Sequence, residues 1–342
     1  MYPFSFINIL DIVVKVICIS LKYTFTSGLV LIKGEKEVNL SECRDIYLKK
    51  CNAKNLSIQT LHNYEYCLKT FFDFCDKRNI VSINQINQFI IIDFMNSING
   101  KYSSITVKDK FIVLKAFFNC LTDIGIIDCN PMERMSRPKV TKKIIYSFSK
   151  NDIKDIMSSF DKTDFIGYRN YTIMNVLFGT GIRKSELVNI QLNDFDWGDN
   201  SLKIYGKGSK ERIIPIGYNL QRIILSYNRK RKEYLAEHKY DNSIKLFINR
   251  YGRPLSKGGV SAIFMTLKNS KKSWSTRVSA HTFRHTFAKM FLLNGGDLFS
   301  LQRILGHEDI SITRLYVDLN ISELKIQNEK YNPLDNTRWQ YY

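Results

Sequence analysis

Leu202-Lys203-Ile204-Tyr205-Gly206-Lys207-Gly208-Ser209-Lys210-Glu211-Arg212-Ile213-Ile214-Pro215-Ile216 is the stretch on which the fold class turns. Apolar positions alternate near Leu202 to Tyr205 and again near Ile213 to Ile216, the period-two mark of half-buried strands. Gly206 and Gly208 separate the two runs, so the segment predicts a β-hairpin with a basic tip. The other periodic segments of the chain are helical, and the expected class is mainly α with a small β-sheet. Taken alone, the glycine-flanked Lys207 fits a solvated turn as well as a mobile reach toward a phosphate.

Working upstream, residues 38 to 130 read as a compact helical unit. Ser41 can cap a first helix carrying Cys43, Ile46, Tyr47 and the pair Lys49 and Lys50. A second begins near Ser57 or Thr60, with Leu61, Tyr64, Leu68, Phe71, Phe72 and Phe74 as a wide apolar face. A third runs from about Asn84 to Ser97 and ends at Gly100. The fourth starts near Ser103 or Ser104 and carries Val107, Phe111, Leu114, Phe117, Phe118 and Leu121. Lys108, Lys110 and Lys115 are assigned to its other, solvated face. Asn130-Pro131 stops the unit, and Arg137-Pro138-Lys139 through Lys142-Lys143 forms a basic connector. Ser149 to Asp152 has the form of a capping box, opening the next helix. The expected organisation is an apolar extension over 1–37, a helical domain over 38–137, a mixed α/β domain over 138–334 and a tail over 335–342.

Composition narrows the function classes. The chain has 342 residues, with 51 Lys and Arg against 32 Asp and Glu, a net charge of +19. Such an excess is the footprint of a polyanion binder, although a chain rich in Asn, Ile and Lys carries part of it by composition alone. The seven cysteines stop at Cys129, and none forms a close C-x-x-C pair. Zinc, redox and cysteine-nucleophile chemistry are therefore not indicated, and the thiols read as buried groups of a reducing compartment. Residues 4–32 are apolar, but Asp11, Lys15 and Lys22 interrupt them, against a membrane span. A peripheral segment, an anchor and a partner-binding arm all stay open for this stretch.

Four segments of the mixed domain concentrate Arg, Lys, His and Tyr beyond what a core needs. Gly179-Thr180-Gly181 allows a tight turn into a short helix from Arg183 to Ile190, with Arg183 at its start and Glu186 one turn on to brace it. The hairpin tip supplies Lys207. His281-Thr282-Phe283-Arg284-His285 places His281 and Arg284 three apart, on one helix face. Leu305-Gly306-His307 precedes Tyr316 by a short interval. A zinc site fails because His281 and His285 lack a third ligand nearby, and no P-loop frame exists around Gly206. Together these groups suit phosphoryl transfer. Two guanidiniums can hold a phosphodiester's non-bridging oxygens, a phenol can attack, and a lysine can protonate the departing oxygen.

The ordered set Arg183, Lys207, His281-x-x-Arg284, Gly306-His307 and Tyr316 resembles the tyrosine recombinase (phage integrase) family, closest in layout to Xer-type and mobile-element integrases. The likeness runs from about residue 38 to residue 334. It implies a SAM-like helical core-binding domain followed by the catalytic domain, the two closing a clamp around DNA. Arg183 and Arg284 would hold the scissile phosphate and His307 would add a hydrogen bond. Lys207 would be the general acid, His281 a proton acceptor or an orienting group, Glu186 a support and Tyr316 the nucleophile of a 3′-phosphotyrosyl bond. Lys108, Lys110, Lys115, Lys142, Lys143, Lys210 and Arg212 would be DNA-binding candidates. The resemblance implies no metal or nucleotide cofactor. The partners it implies are double-stranded DNA, a homo-tetramer on synapsed sites, and accessory excision or partner recombinase proteins, in a cytoplasmic, nucleoid-associated setting. Integration or excision of a mobile element is the expected role, with chromosome-dimer resolution left open beside it. A type IB topoisomerase shares the chemistry, and a catalytically silent DNA-binding relic shares the charge; the separate helical unit and the full residue set oppose them. The apolar front does not resemble the arm-binding sheet of larger phage integrases.

Overall fold

The computed structural model describes residues 24–26, 29–31, 38–140, 146–206, 210–270, 274–307 and 328. Lys142, Lys143, Lys207 and Tyr316 lie outside the described residues, as do the tail over 335–342 and most of 1–37. The chain divides into two compact units, Met1–Lys143 and Ile144–Tyr342.

In the first unit an antiparallel pair, β1 (Thr24–Thr26) and β2 (Leu29–Leu31), precedes four helices. These are α1 (Leu40–Ala53), α2 (Ile58–Asp76), α3 (Gln88–Ile98) and α4 (Ser104–Asp123). Each starts at a side-chain cap that accepts an otherwise unpaired first-turn N–H. Ser57 and Ser103 cap α2 and α4 as their sequence suggests, accepting from Thr60 N and Thr106 N at 3.2 and 3.3 Å. Two starts differ from the sequence reading. Asn39, not Ser41, caps α1, taking the Ser41 N–H at 3.0 Å. Asn87 caps α3 by accepting from Phe89 N and Ile90 N, and Ile83–Gln85 forms a separate 3₁₀ turn. Asn and Ser compete on nearly equal terms for such positions, so local sequence does not choose between them.

The core of this unit is aromatic. Phe71 meets Phe94 edge-to-face at 5.0 Å and Phe118 at 6.1 Å, and all three are buried. Cys43, Cys51, Cys67, Cys75 and Cys120 line the same interior. Burial pushes the thiols of Cys43 and Cys75 up to about 11 and about 12, far from nucleophilic range.

Lys110 does not lie on the solvated face of α4. It is only 1% exposed, because positions 107, 110, 111, 114 and 118 fall on one side of a 3.6-residue repeat. Its ammonium donates to Thr70 Oγ1 at 2.7 Å and lies over the Tyr66 and Tyr102 rings at 4.5 and 4.8 Å. A buried cation needs such partners. Lys115 is half-buried and donates to the carbonyls of Glu133 and Met135 at 3.0 and 3.2 Å, pinning the turn after Asn130. Lys108, also half-buried, remains on the outer part of the helix.

The second unit begins with α5 (Lys150–Ser158), whose Ser149 and Asp152 form the reciprocal capping box anticipated from sequence. Just before it, Phe148 N donates to Thr286 Oγ1 at 2.9 Å and its ring packs on Phe283. The other helices are α6 (Phe165–Thr180), α7 (Lys184–Leu187), α8 (Tyr218–Glu237), α9 (Lys257–Ser270), α10 (Ala280–Leu293) and α11 (Leu298–Leu305). Helix α6 is central, packing against both α8 and α10. Helix α7 is shorter than the expected 183–190 span, ending in a turn that Val188 begins.

The hairpin forms as anticipated from β4 (Ser201–Tyr205) and β5 (Glu211–Pro215), with β3 (Phe195–Asp196) added as a third antiparallel strand. Leu202 pairs with Ile214 and Ile204 with Arg212 on the inner face, while Lys203 and Ile213 point outward. Gly206 N donates to Lys210 O at 2.7 Å, just beyond the last β4–β5 pair. Among the described residues, no helix is long and apolar enough to cross a membrane.

Candidate active site

The turn after α6 is built on Gly181. Its φ of +63° suits glycine, and an added Cβ would meet Phe287 Cδ1 at 2.4 Å and Leu305 Cδ2 at 2.9 Å. This close approach joins three segments: the end of α6, the middle of α10 and the end of α11. Two residues on, Arg183 stands at the N-cap of α7 with an extended backbone.

Glu186, one turn into α7, is buried and organises its neighbours. Its Oε2 accepts the Arg183 backbone N–H at 2.8 Å, and its Oε1 accepts from Arg183 Nη1 at 3.0 Å. Arg212 Nη1 and Nη2 donate to Oε1 and Oε2 at 2.9 and 2.8 Å. Burial alone would raise the Glu186 carboxyl, but the donors from Arg212 and Arg183 outweigh it and hold the group below its ordinary value. The Arg183 side chain keeps 44% exposure beside this anchored carboxylate. It is therefore oriented yet open to a ligand. The bracing read from sequence is present.

Arg212 is not placed as a free DNA contact. Its fork is spent on Glu186 and its Nε donates to Ile304 O at 2.8 Å. Nothing local in the sequence signals a partner 26 residues away. The register does give a hint, because Arg212 shares the inward phase of Ile214.

Arg284, in the second turn of α10, is 3% exposed. Nη1 donates to Gly181 O at 2.9 Å, and Nη2 to Leu305 O at 2.9 Å and to His307 Nε2 at 2.7 Å. A guanidinium only donates, so Nε2 of His307 is the acceptor and the ring's proton sits on Nδ1. The electrostatics agree. Burial first, then the charges of Arg284, Arg183 and Arg212, push His307 down to about 4, leaving it neutral near pH 7. His307 thus sits within the field of both arginines and of Glu186.

His281 lies one turn before Arg284 at the surface end of the same face. Crowding by protein atoms, followed by Arg284, Arg183 and Arg277, lowers its imidazole below the ordinary value. A neutral imidazole of this kind can accept a proton. Its ring meets His285 edge-to-face at 4.0 Å, and His285 is itself pushed down to about 4 by burial and then by His281 and Arg284. His285 stood in the motif but was given no role from sequence; the structure makes it the packing partner of His281.

The structure therefore brings together Arg183, Glu186, His281, Arg284 and His307 from α7, α10 and the turn after α11. Lys210 is exposed at the foot of the hairpin. Two cations, a carboxylate that fixes one of them, and two neutral imidazoles form a seat for an anionic group with donors and a proton acceptor at hand.

Two family profiles match the chain: the phage integrase family over residues 147–323, and the phage integrase N-terminal SAM-like domain over residues 46–125. The tyrosine recombinase XerD of Listeria monocytogenes serotype 4b is 30% identical over 283 residues, spanning 82% of this chain and 94% of that protein. The tyrosine recombinase XerC of Anoxybacillus flavithermus is 31% identical over 273 residues, spanning 80% and 91%. Among solved structures, a lambda integrase dimer bound to a COC′ core site superposes with a TM-score of 0.65 at 19% identity, covering 82% of this chain and 77% of that one. The Tn1549 transposon integrase in complex with transposon right end DNA gives 0.64 at 18% identity, covering 84% and 98%. These two likenesses are of fold.

Proposed function

The chain belongs to the phage integrase family of tyrosine recombinases, and from that premise we propose that it cuts and rejoins double-stranded DNA at a specific site through Tyr316. The carrying observation is the buried Arg284 guanidinium, fixed by Gly181 O, Leu305 O and His307 within the field of the braced Arg183. Such an arrangement is preorganised for a phosphodiester, because its donors are aimed before the ligand arrives.

In this reading Arg183 and Arg284 take the non-bridging oxygens of the scissile phosphate. His307, with Nε2 engaged by Arg284, offers its Nδ1–H. The phenolic oxygen of Tyr316 attacks phosphorus and gives its proton to His281. As the new P–O bond forms, the bond to the 5′ oxygen breaks, and that oxygen takes a proton from Lys207. The 3′-phosphotyrosyl bond conserves the energy of the broken ester, so a 5′ hydroxyl from another strand reverses the step and rejoins the DNA. The helical unit over 38–137 serves as the core-binding domain and the unit from 138 to 334 as the catalytic domain. Structural neighbours solved in complex with DNA support the duplex as partner; a homo-tetramer on synapsed sites is the assembly this reading assigns. Integration or excision of a mobile element, with accessory proteins, is the role we assign.

The test is covalent trapping. The protein is mixed with duplexes carrying a randomised central window and single nicks at staggered positions, and SDS-stable adducts are recovered and sequenced. Wild type is expected to yield adducts converging on one site, and Tyr316→Phe none while still binding the recovered DNA. An adduct formed by the Phe variant would show that the nucleophile is another residue.

A further inference from the structure

Glu186 has two arginine partners, and only Arg183 belongs to the set expected to touch the phosphate. The other, Arg212, sits on β5 opposite Ile204 of β4, five residues after Lys207 in sequence. It spends its guanidinium inward. Nη1 and Nη2 donate to both oxygens of Glu186 at 2.9 and 2.8 Å, and Nε donates to Ile304 O at 2.8 Å. Its side chain is 13% exposed, against 44% for Arg183. Its stem crosses the turn that leads into His307, where a Cβ added to Gly306 would lie 2.9 Å from Arg212 Cδ.

One guanidinium, carried by β5, therefore bonds both the carboxylate that braces Arg183 and the end of α11 before His307. We propose that Arg212 is a positioning residue for strand cleavage, acting through Glu186 on Arg183 and through Ile304 on the approach to His307, and that it is not a phosphate ligand. The role rests on the recombinase reading. It requires arginine, because only a fork with a third in-plane donor meets two carboxylate oxygens and a carbonyl together.

The experiment uses the full chain and the duplex recovered by covalent trapping with wild type. Single-turnover cleavage at saturating DNA is measured apart from DNA affinity and its salt dependence, for Arg212→Ala, Arg212→Lys, Glu186→Gln and the Arg212→Ala/Glu186→Gln double variant. Loss of positioning is expected to slow Arg212→Ala by about 100-fold, since misplacement of about 1 Å costs that much. Affinity is expected to stay within about threefold and the salt slope to be unchanged, because no phosphate contact is lost. The double variant is expected to be no slower than the slower single variant, as for residues acting as one unit. Arg212→Lys keeps the charge and the fold, and is expected to be slowed by about tenfold at unchanged affinity. If Arg212→Ala does not fold, as judged by circular dichroism, Arg212→Lys decides. Wild-type cleavage by the folded variant, losses that multiply in the double variant, or a salt slope that falls by about one would each overturn the positioning role and leave the recombinase intact. Wild type that forms no adduct would overturn both.

Discussion

Acidification should weaken the catalytic unit well above the pH at which its carboxylates titrate. His285 and His307 are both held neutral, pushed down to about 4 from an ordinary value of 6.5, chiefly by burial and then by neighbouring cationic groups. In the unfolded chain the same rings bind protons near 6.5, so the unfolded state takes up protons first as the pH falls. Their stabilisation is complete above pH 6.5 and is lost progressively from there toward pH 4. Each ring is worth at most about 3 kcal/mol over that window. Allowing for solvent reaching the partly exposed His285, the pair should contribute about 2–3 kcal/mol between pH 7 and pH 4.5. Depressed carboxylates such as Glu186 act only below this range. The assay is urea unfolding followed by tryptophan fluorescence. Trp197, Trp274 and Trp339 are the three tryptophans of the chain, and all fall in Ile144–Tyr342. The signal therefore reports the unit that holds both histidines. The midpoint should fall steadily from pH 6.5 to pH 4.5, and His307→Asn should remove about half of the slope. A wild-type midpoint that stays flat across that interval would refute the reasoning.

Gly181→Ala forces a side chain into the left-handed region and against Phe287, so the same fluorescence assay should show a loss of about 2–4 kcal/mol; an unchanged midpoint would mean that the three segments do not meet there. Lys110→Met removes the bond to Thr70 and the two ring contacts, and is expected to cost about 1–2 kcal/mol by circular dichroism of the helical unit without changing DNA affinity. Lys108→Ala, by contrast, is expected to leave stability alone and lower the salt slope of DNA binding by about one; a reversed pattern would restore Lys110 to the surface.

What the sequence reveals here follows the range of each interaction. The capping box at Ser149 and the starts of α2 and α4 are set by residues within four positions of one another, and the hairpin by two alternating runs joined across a short glycine-flanked segment; all are legible. The start of α3 is not legible, because Asn84 and Asn87 are equally able caps on local grounds. Lys110 was misplaced by its residue type, although its phase with Val107 and Leu114 pointed inward. Arg183, Glu186, His281, Arg284 and His307 are legible as an ordered set, because their types and intervals are distinctive. The acceptors that orient them are not. Gly181 O and Leu305 O are backbone atoms, and any residue could supply them. Arg212 reads as a hairpin cation because its carboxylate partner lies 26 residues away on helix α7.

The partners of Arg284 also bear on how the protein comes into being. Gly181 lies 103 residues before it and His307 lies 23 residues after it. The helical unit has its own caps and its own aromatic cluster, all within residues that are synthesised first. The centre that would open a phosphodiester has no such early existence. Its geometry closes only once α11 and the turn behind it have left the ribosome and docked. On the proposed reading, a nascent or truncated chain would hold DNA before it could cut it, a safeguard that costs the cell no separate inhibitor.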